Sequence, residues 1–158
     1  MLILLSFITV NAQEKKGLKE GDQAPTFKYL DINGKEVSLS DLKGKYVYID
    51  VWATWCGPCQ YELPHLKELE KTMHGKKIVF VSISCDKDKA AWEKMVKEQG
   101  LGGVQLHNGG DREFMTAFGI RGIPRFILLD KKGKIVNPNM TRPSNPETEK
   151  TLKALKGI

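Results

Sequence analysis

Cysteine is scarce in this sequence, which has three cysteines in 158 residues. An odd count leaves at least one thiol unpaired. A crosslink between Cys56 and Cys59 would close so short a loop that it would hardly restrict the unfolded chain. A fold held together by disulfides is therefore excluded, and we expect this pair to serve redox chemistry or metal binding.

Long apolar runs are also missing. The strongest run, 2–10, is shorter than the roughly 20 residues that a membrane-spanning helix needs. It is followed by Ala12 and Gln13, and a small residue after an apolar stretch is typical of a signal-peptidase site. We therefore predict a removable signal peptide over 1–12 and a single domain over 13–158. No Lys or Arg precedes the apolar run, so a retained weak anchor or a hydrophobic arm is the alternative.

Basic residues show no clustering, although Lys and Arg (25) outnumber Asp and Glu (19) and give a net charge of +6. Without a basic stripe, a nucleic-acid partner is not expected. Fifteen glycines and seven prolines are too few for collagen or a low-complexity chain, and the 41% of apolar residues suits one compact domain.

The middle of the chain predicts a βαβ unit. The segments 46–52 and 78–84 are nearly continuously apolar, as in parallel strands that are covered on both faces. Between them, apolar residues at positions i, i+3 and i+7 from Leu66 predict an amphipathic helix over 59–72.

Turn and cap residues predict the other elements. Asn33-Gly34 between 27–30 and 37–39 favours a β-hairpin with a type I′ turn. The remaining predictions are a helix capped by Asp86 or Asp88, a strand at 104–106, a helix capped by Asp111, a hairpin of 125–129 with 134–136, and a last helix from Asn145. This order predicts an α/β fold with a central mixed β-sheet flanked by helices and an added N-terminal β-hairpin.

Cys56 and Cys59 lie where the first buried strand ends and the helix begins. Free backbone N–H groups and the helix dipole favour a thiolate there, so we expect Cys56 to have a lowered pKa and to be the attacking sulfur. Cys59 lies one turn further and is expected to be less exposed. Pro58 suits a first helical turn, and Gly57 leaves room for another chain to approach.

Two motifs in this sequence carry a family resemblance. The stretch 50–59, DVWATWCGPC, resembles the active site of thioredoxin, and 121–124, RGIP, resembles its cis-proline loop. The segments 21–27 and 37–45 are similar to exported thioredoxin-like oxidoreductases of the cytochrome-maturation type (TlpA/ResA-like). The resemblance covers 17–158 and implies a thioredoxin-like fold.

Two acidic residues are candidate catalytic groups. Asp50 interrupts a buried strand, so its pKa should be raised, and the resemblance implies that it exchanges a proton with the buried cysteine. Thioredoxin has a lysine near this acid, and 78–84 contains none. Glu62, three residues after Cys59, matches an acid that tunes cysteine protonation in the exported family; the alternative is an ordinary surface glutamate.

Five residues are candidate substrate-binding positions. The resemblance implies a cis bond before Pro124, with the backbone of Ile123 facing the cysteines and pairing with an extended substrate strand. Trp55 would contact substrate beside Gly57 and Pro58, although simple packing also explains a tryptophan there.

Other chemistries fit the sequence less well. Cys85 is predicted to be a buried apolar thiol, with a resolving role as the alternative. A zinc site lacks half of its ligands, and haem attachment fails because Gln60 follows Cys59, so no metal or cofactor is expected. A peroxiredoxin-like thiol peroxidase is the alternative function, but Ala53 and Ile49 stand where that family has threonine and proline.

We therefore predict a thiol-disulfide oxidoreductase of the periplasm or cell envelope. The Gly57-Pro58 pair resembles that of reducing thioredoxins, which favours reduction of exported proteins with disulfides; apocytochrome c is a candidate substrate. Such a reductase needs a membrane thiol donor. No dimerisation segment is found, which favours a monomer. Arg125 after the proline suggests acidic partners, and His65, His74 and His107 are interpreted as solvated.

Overall fold

The computed structural model describes residues 17–158. The predicted signal peptide over 1–12 lies outside the described residues. Within 17–158, no helix combines the length and the apolar character that a membrane crossing requires.

The described chain forms one mixed sheet with helices on both faces. Its strands are β1 (Lys28–Asp31), β2 (Glu36–Ser38), β3 (Tyr46–Trp52), β4 (Ile78–Ser84), β5 (Val104–His107), β6 (Arg125–Leu129) and β7 (Ile135–Met140). Its helices are α1 (Gly57–Thr72), α2 (Lys89–Glu98), α3 (Glu113–Ala117) and α4 (Pro146–Lys153), with a short 3-10 turn at Leu39–Leu42. The strand order is β2-β1-β5-β4-β3-β6-β7, in which β3, β4 and β5 are parallel and the other pairs antiparallel. The predicted mixed α/β fold and the N-terminal hairpin are confirmed.

The two faces of β3 point into different clusters of buried side chains. Val47, Ile49 and Val51 face the cluster that contains Phe114 of α3. Tyr48 faces the opposite cluster, which α1 and α4 cover. A third cluster joins Trp52, both cysteines of the CxxC pair and the buried face of α2. The alternation along β3 therefore sends Asp50 to the face that α1 covers.

The predicted type I′ turn is wrong. That turn needs positive φ at both central residues, and here Gly34 has φ +79° whereas Asn33 does not have positive φ. Instead, one carboxylate oxygen of Asp31 accepts hydrogen bonds from the backbone N–H groups of Asn33 and Lys35, both at 2.8 Å. The loop therefore has three residues and ends in a left-handed glycine.

Several predicted boundaries also change. Helix α1 begins at Gly57 rather than at residue 59, because Cys56 is its N-cap. Asp88, not Asp86, caps α2 by accepting from the Ala91 N–H at 3.1 Å. Strand β7 continues to Met140, beyond the predicted residue 136. It lies at the edge of the sheet, where a proline within a strand is tolerated.

Asp111 is not the N-cap of α3. That position is held by Arg112, and Asp111 instead accepts a hydrogen bond from the Glu113 N–H at 2.8 Å. The acid still satisfies a free donor at the start of the helix, from one position further back.

Candidate functional site

A disulfide joins Cys56 to Cys59 at the start of α1. The Cys56 sulfur also accepts a hydrogen bond from the Cys59 N–H at 3.2 Å, as an N-cap side chain does. Both cysteines are buried, with 5% of Cys56 and 2% of Cys59 exposed. The predicted difference in exposure is thus small, but Cys56 borders a surface groove and Cys59 is not among its lining residues.

The groove beside Cys56 has a volume of about 1040 Å³. Trp55, Gly57 and Pro58 line it on the side of α1, and Ile123 lines it on the other side. Trp55 is 70% exposed, so its ring is available to a partner rather than packed in the core. Four of the five candidate substrate-binding residues therefore meet at one surface next to the disulfide.

Pro124, the fifth candidate, lines a different cavity. The Ile123–Pro124 peptide bond is cis. The proline ring borders a cavity of about 520 Å³ together with Phe126, Arg142 and Ser144. The proline loop thus separates two depressions, and only its Ile123 side opens to the disulfide groove.

Asp50 lies in the middle of β3 and is 4% exposed. Burial is the main cause that raises the pKa of its carboxyl to about 8; a hydrogen bond from Ser82 opposes this shift, and the negative charges of Glu62 and Glu70 contribute to it. The Ser82 hydroxyl donates to Asp50 across the β3–β4 pair at 3.4 Å. The raised pKa that the sequence predicts for Asp50 is confirmed.

Glu62 is buried, with 3% exposed, which contradicts its interpretation as a surface glutamate. Its two carboxylate oxygens accept hydrogen bonds from the backbone N–H and the hydroxyl of Ser144, both at 2.9 Å. Arg142 lies 3.9 Å from the same carboxylate. Sequence reasoning missed these partners because the segment before α4 is far from α1 along the chain.

Comparisons with known proteins agree with this geometry. The Redoxin family model matches residues 19–155. The thiol-disulfide oxidoreductase ResA of Bacillus anthracis is 31% identical over 143 residues, which are 90% of this chain and 82% of the relative. ResA of Bacillus subtilis is 33% identical over 122 residues, covering 77% and 68% of the two chains.

Solved structures of thiol-disulfide oxidoreductases also resemble this chain. A Bacteroides vulgatus protein assigned as a thiol-disulfide oxidoreductase is 61% identical, with a TM-score of 0.75 over 85% of this chain and 91% of its own. The thioredoxin domain of another oxidoreductase from that organism is 30% identical, with a TM-score of 0.79 over 87% and 97% of the chains.

This chain belongs to the Redoxin family. Its relatives and its CxxC disulfide identify it as a thiol-disulfide oxidoreductase with a thioredoxin-like fold, and they favour this function over a peroxiredoxin-like peroxidase.

In this Redoxin-family protein, Asp86 accepts hydrogen bonds from the loop that precedes Cys56. Asp86 is 2% exposed, and its carboxylate accepts from the N–H of Thr54 at 3.0 Å and from the hydroxyls of Thr54 at 2.7 Å and Ser84 at 2.6 Å. The carbonyl of Thr54 accepts from the Gln60 side chain at 2.5 Å. Sequence reasoning assigned Asp86 only as a possible helix cap.

Cys85, the remaining cysteine of the oxidoreductase, is half-buried; it lines the groove and also packs against the cluster that contains Trp52 and both cysteines of the CxxC pair. Burial raises the pKa of its thiol, and the negative charge of Asp86 adds to this shift. The predicted buried, apolar thiol is therefore borne out only in part, because Cys85 packs against the core but also borders the groove. Its raised pKa keeps the sulfur less reactive than a thiolate.

Two further interpretations are corrected. His107 is not solvated: its ring stacks on Trp92 with centroids 5.1 Å apart, and its Nε2 atom is buried. Arg125 is half-buried and donates to the Pro138 carbonyl at 3.2 Å, so it does not face the groove. Within 17–158, no three His, Cys, Asp or Glu side chains are grouped as metal ligands.

Proposed function

We propose that this oxidoreductase reduces disulfides of exported proteins through Cys56 and Cys59. In the reduced protein, the Cys56 thiolate attacks a substrate disulfide, forms a mixed disulfide and releases one substrate thiolate. The Cys59 thiolate then attacks Cys56, which restores the Cys56–Cys59 disulfide and releases the second substrate thiolate. The substrate gains two electrons, and the two cysteines lose them.

The position of the disulfide carries this proposal. Cys56 is the N-cap of a 16-residue helix and borders an open groove, so an incoming disulfide has access to this sulfur and the helix dipole favours its thiolate. Cys59 lies beneath, where a substrate does not reach it directly. This arrangement supports an attacking role for Cys56 and a resolving role for Cys59.

Asp50 would accept the proton of the Cys59 thiol, and Glu62 would influence this transfer. Cys59 must lose a proton before it attacks, and a carboxyl with a pKa of about 8 exchanges protons readily near neutrality. Asp50 lies on the sheet face that α1 covers, and its pKa responds to the charge of Glu62. Glu62, held by Ser144, would thus tune the proton exchange of Asp50.

The loop around Pro124 would position the substrate. Within 17–158, the backbone N–H and carbonyl of Ile123 make no backbone hydrogen bond, so they are free to pair with an extended substrate chain. Trp55, Gly57 and Pro58 would flank that chain in the groove, and Pro124 would hold Ile123 in position from the far side of the loop.

The cellular setting follows from the same proposal. A signal peptide over 1–12 would take the protein to the periplasm or cell envelope, where disulfide-containing proteins such as apocytochrome c would be its substrates. A membrane thiol donor would return it to the reduced state, and the protein would act as a monomer. N-terminal sequencing of exported protein should begin at Gln13.

Substitution of each cysteine tests the exchange mechanism. We expect Cys56→Ser to abolish the reduction of insulin by the protein in the presence of a chemical dithiol. Cys59→Ser should accumulate a mixed disulfide through Cys56, which mass spectrometry detects, and Cys85→Ser should retain the wild-type rate. A mixed disulfide through Cys85 would contradict the mechanism.

The reduction potential tests the direction of electron flow. Equilibration with glutathione should give a value near that of thioredoxin, about −270 mV. A value near about −120 mV, typical of a strong oxidant, would reverse the proposed direction.

A further inference from the structure

Three exposed basic side chains line the disulfide groove. They are Lys87 after β4, Arg112 at the start of α3 and Arg121, the first residue of the proline loop. Within the described part of the chain, none of them has a carboxylate within 4.0 Å, whereas Lys and Arg residues elsewhere form six such pairs. These three cations are therefore available to a molecule in the groove.

The groove also contains three carboxyl groups, and each is bound within the protein. Asp86 is buried beneath Thr54 and Ser84. Asp88 caps α2, and Asp111 accepts from the Tyr29 hydroxyl at 3.2 Å and from a backbone N–H of α3. The formal charges of the lining cancel, but each acid, including the exposed Asp88, accepts a hydrogen bond within the protein, whereas the three cations are exposed and have no carboxylate of the described residues within 4.0 Å.

Apolar side chains complete the surface between these cations. Trp55, Met115 and Ile123 line the same groove, and Trp55 is largely exposed. Such a surface fits a polypeptide segment that combines apolar and acidic side chains better than it fits a small anion. The net charge of +6 disfavours a second copy of this chain and favours an acidic partner.

We propose that this groove binds the substrate segment next to the disulfide and selects substrates that carry Asp or Glu near the attacked cysteine. The inference rests on the proposed reductase function. Arg112, Arg121 and Lys87 would pair with these acidic side chains while the apolar residues contact the segment between them. Selectivity would thus come from the walls of the groove and not from the sulfur chemistry.

Peptides with one internal disulfide test this selectivity. Three peptides would differ only in the residues that flank the cysteines: glutamates, serines or lysines. Pre-reduced protein is mixed with each peptide, and its oxidation is followed by tryptophan fluorescence, since Trp55 adjoins Cys56. We expect the Glu peptide to react about three- to tenfold faster than the Ser peptide, and the Lys peptide to be slowest.

A double charge reversal, Arg112→Glu with Arg121→Glu, should abolish or invert this preference. The matched control is Lys132→Glu with Lys134→Glu, which makes the same charge change at the opposite end of β6 from the proline loop. The control should keep the preference. Because a changed thiolate reactivity would alter all rates together, the ratio of the Glu and Ser rates is the measure.

Salt gives a second test that needs no variant. The preference of the wild-type protein for the Glu peptide should shrink between 20 mM and 500 mM salt, because screening weakens exposed charge pairs. Equal rates for the Glu and Ser peptides at low salt would overturn the inference. So would an equal decrease of the Glu-to-Ser rate ratio in the double variant and in its control. If none of the peptides were reduced, the reductase function itself would fail.

Discussion

The pKa of Asp50 is set by the surroundings of its side chain. An aspartate inside an apolar strand already predicts a raised pKa, and the structure adds the neighbours that set it. Ser82 on β4 donates to the carboxyl, and Glu62 and Glu70 act on it by their charge. Strand β4 lacks the lysine that thioredoxin has near this acid. The partner that β4 offers Asp50 is the hydroxyl of Ser82, which is uncharged.

The raised pKa makes the stability of the protein depend on pH. Between the unfolded pKa of about 4 and the folded pKa of about 8, the folded state holds one more proton than the unfolded chain. Asp50 therefore makes the free energy of unfolding fall as pH rises, by at most about 1.4 kcal/mol per pH unit. Asp50→Asn should remove this fall, so its stability relative to wild type should increase from pH 5 to 8 and then level off.

Urea denaturation of the disulfide form is the appropriate measurement, because Cys56 and Cys59 do not titrate while they are bonded. Ser82→Ala should extend the effect to higher pH, since the hydrogen bond from Ser82 lowers the pKa of Asp50. A stability difference that stays constant from pH 5 to 9 would show that the pKa of Asp50 is not raised in the folded state.

At the scale of elements, Asp86 and Asp88 show how position decides the role of a residue type. Both follow β4, and either one suits a helix cap by its sequence. The structure gives the cap to Asp88 and places Asp86 beneath the β3–α1 loop. Sequence spacing could not separate them, because the difference depends on Thr54, which is about 30 residues earlier.

Substitution by Asn should separate the two aspartates. Asn caps a helix about as well as Asp, so Asp88→Asn should change the free energy of unfolding by less than about 0.5 kcal/mol. Asp86→Asn replaces an acceptor of several hydrogen bonds by an amide that has one acceptor oxygen, which should cost about 1–3 kcal/mol. It should also slow insulin reduction, because Thr54 positions the loop before Cys56. Equal effects of both substitutions on stability and rate would contradict this assignment.

The two hairpins share the same local turn, which the sequence analysis assigned wrongly in the first hairpin. Asp31 and Asp130 each begin an Asp-x-x-Gly-Lys stretch, and in each the Asp side chain accepts from two backbone N–H groups of the loop. The Asn-Gly pair predicted a two-residue loop. The aspartate two residues earlier instead favours a three-residue loop, because its carboxylate satisfies backbone donors that a shorter loop would not present.

For the whole molecule, the N-terminal hairpin belongs to the main core. Phe27 is 6% exposed and contacts Tyr29 and Phe114, with ring centroids 5.9 Å and 5.8 Å apart. It therefore links the start of the described chain to α3, close to the wall of the disulfide groove.

Truncation of this ring should destabilise the entire domain. We expect Phe27→Ala to lower the free energy of unfolding by about 3–5 kcal/mol, as for other buried aromatic residues. Leu30→Ala in the adjacent strand is the control; Leu30 is 45% exposed, so its loss should be under about 1 kcal/mol. Urea denaturation measures both, and a loss for Phe27→Ala as small as the control would show that the hairpin is not part of the core.

Local patterns in the sequence determined much of this protein: the central strands, the CxxC pair at a helix start and the buried acid in β3. These features depend on apolar periodicity and on residues a few positions apart, which a sequence displays directly. Only the tertiary structure decided that Ser144 donates hydrogen bonds to Glu62 and that Thr54 donates to Asp86. It also decided that three cations from separate segments border one groove. Such contacts join segments that are distant along the chain, and their geometry arises only when the whole sheet and its helices pack together.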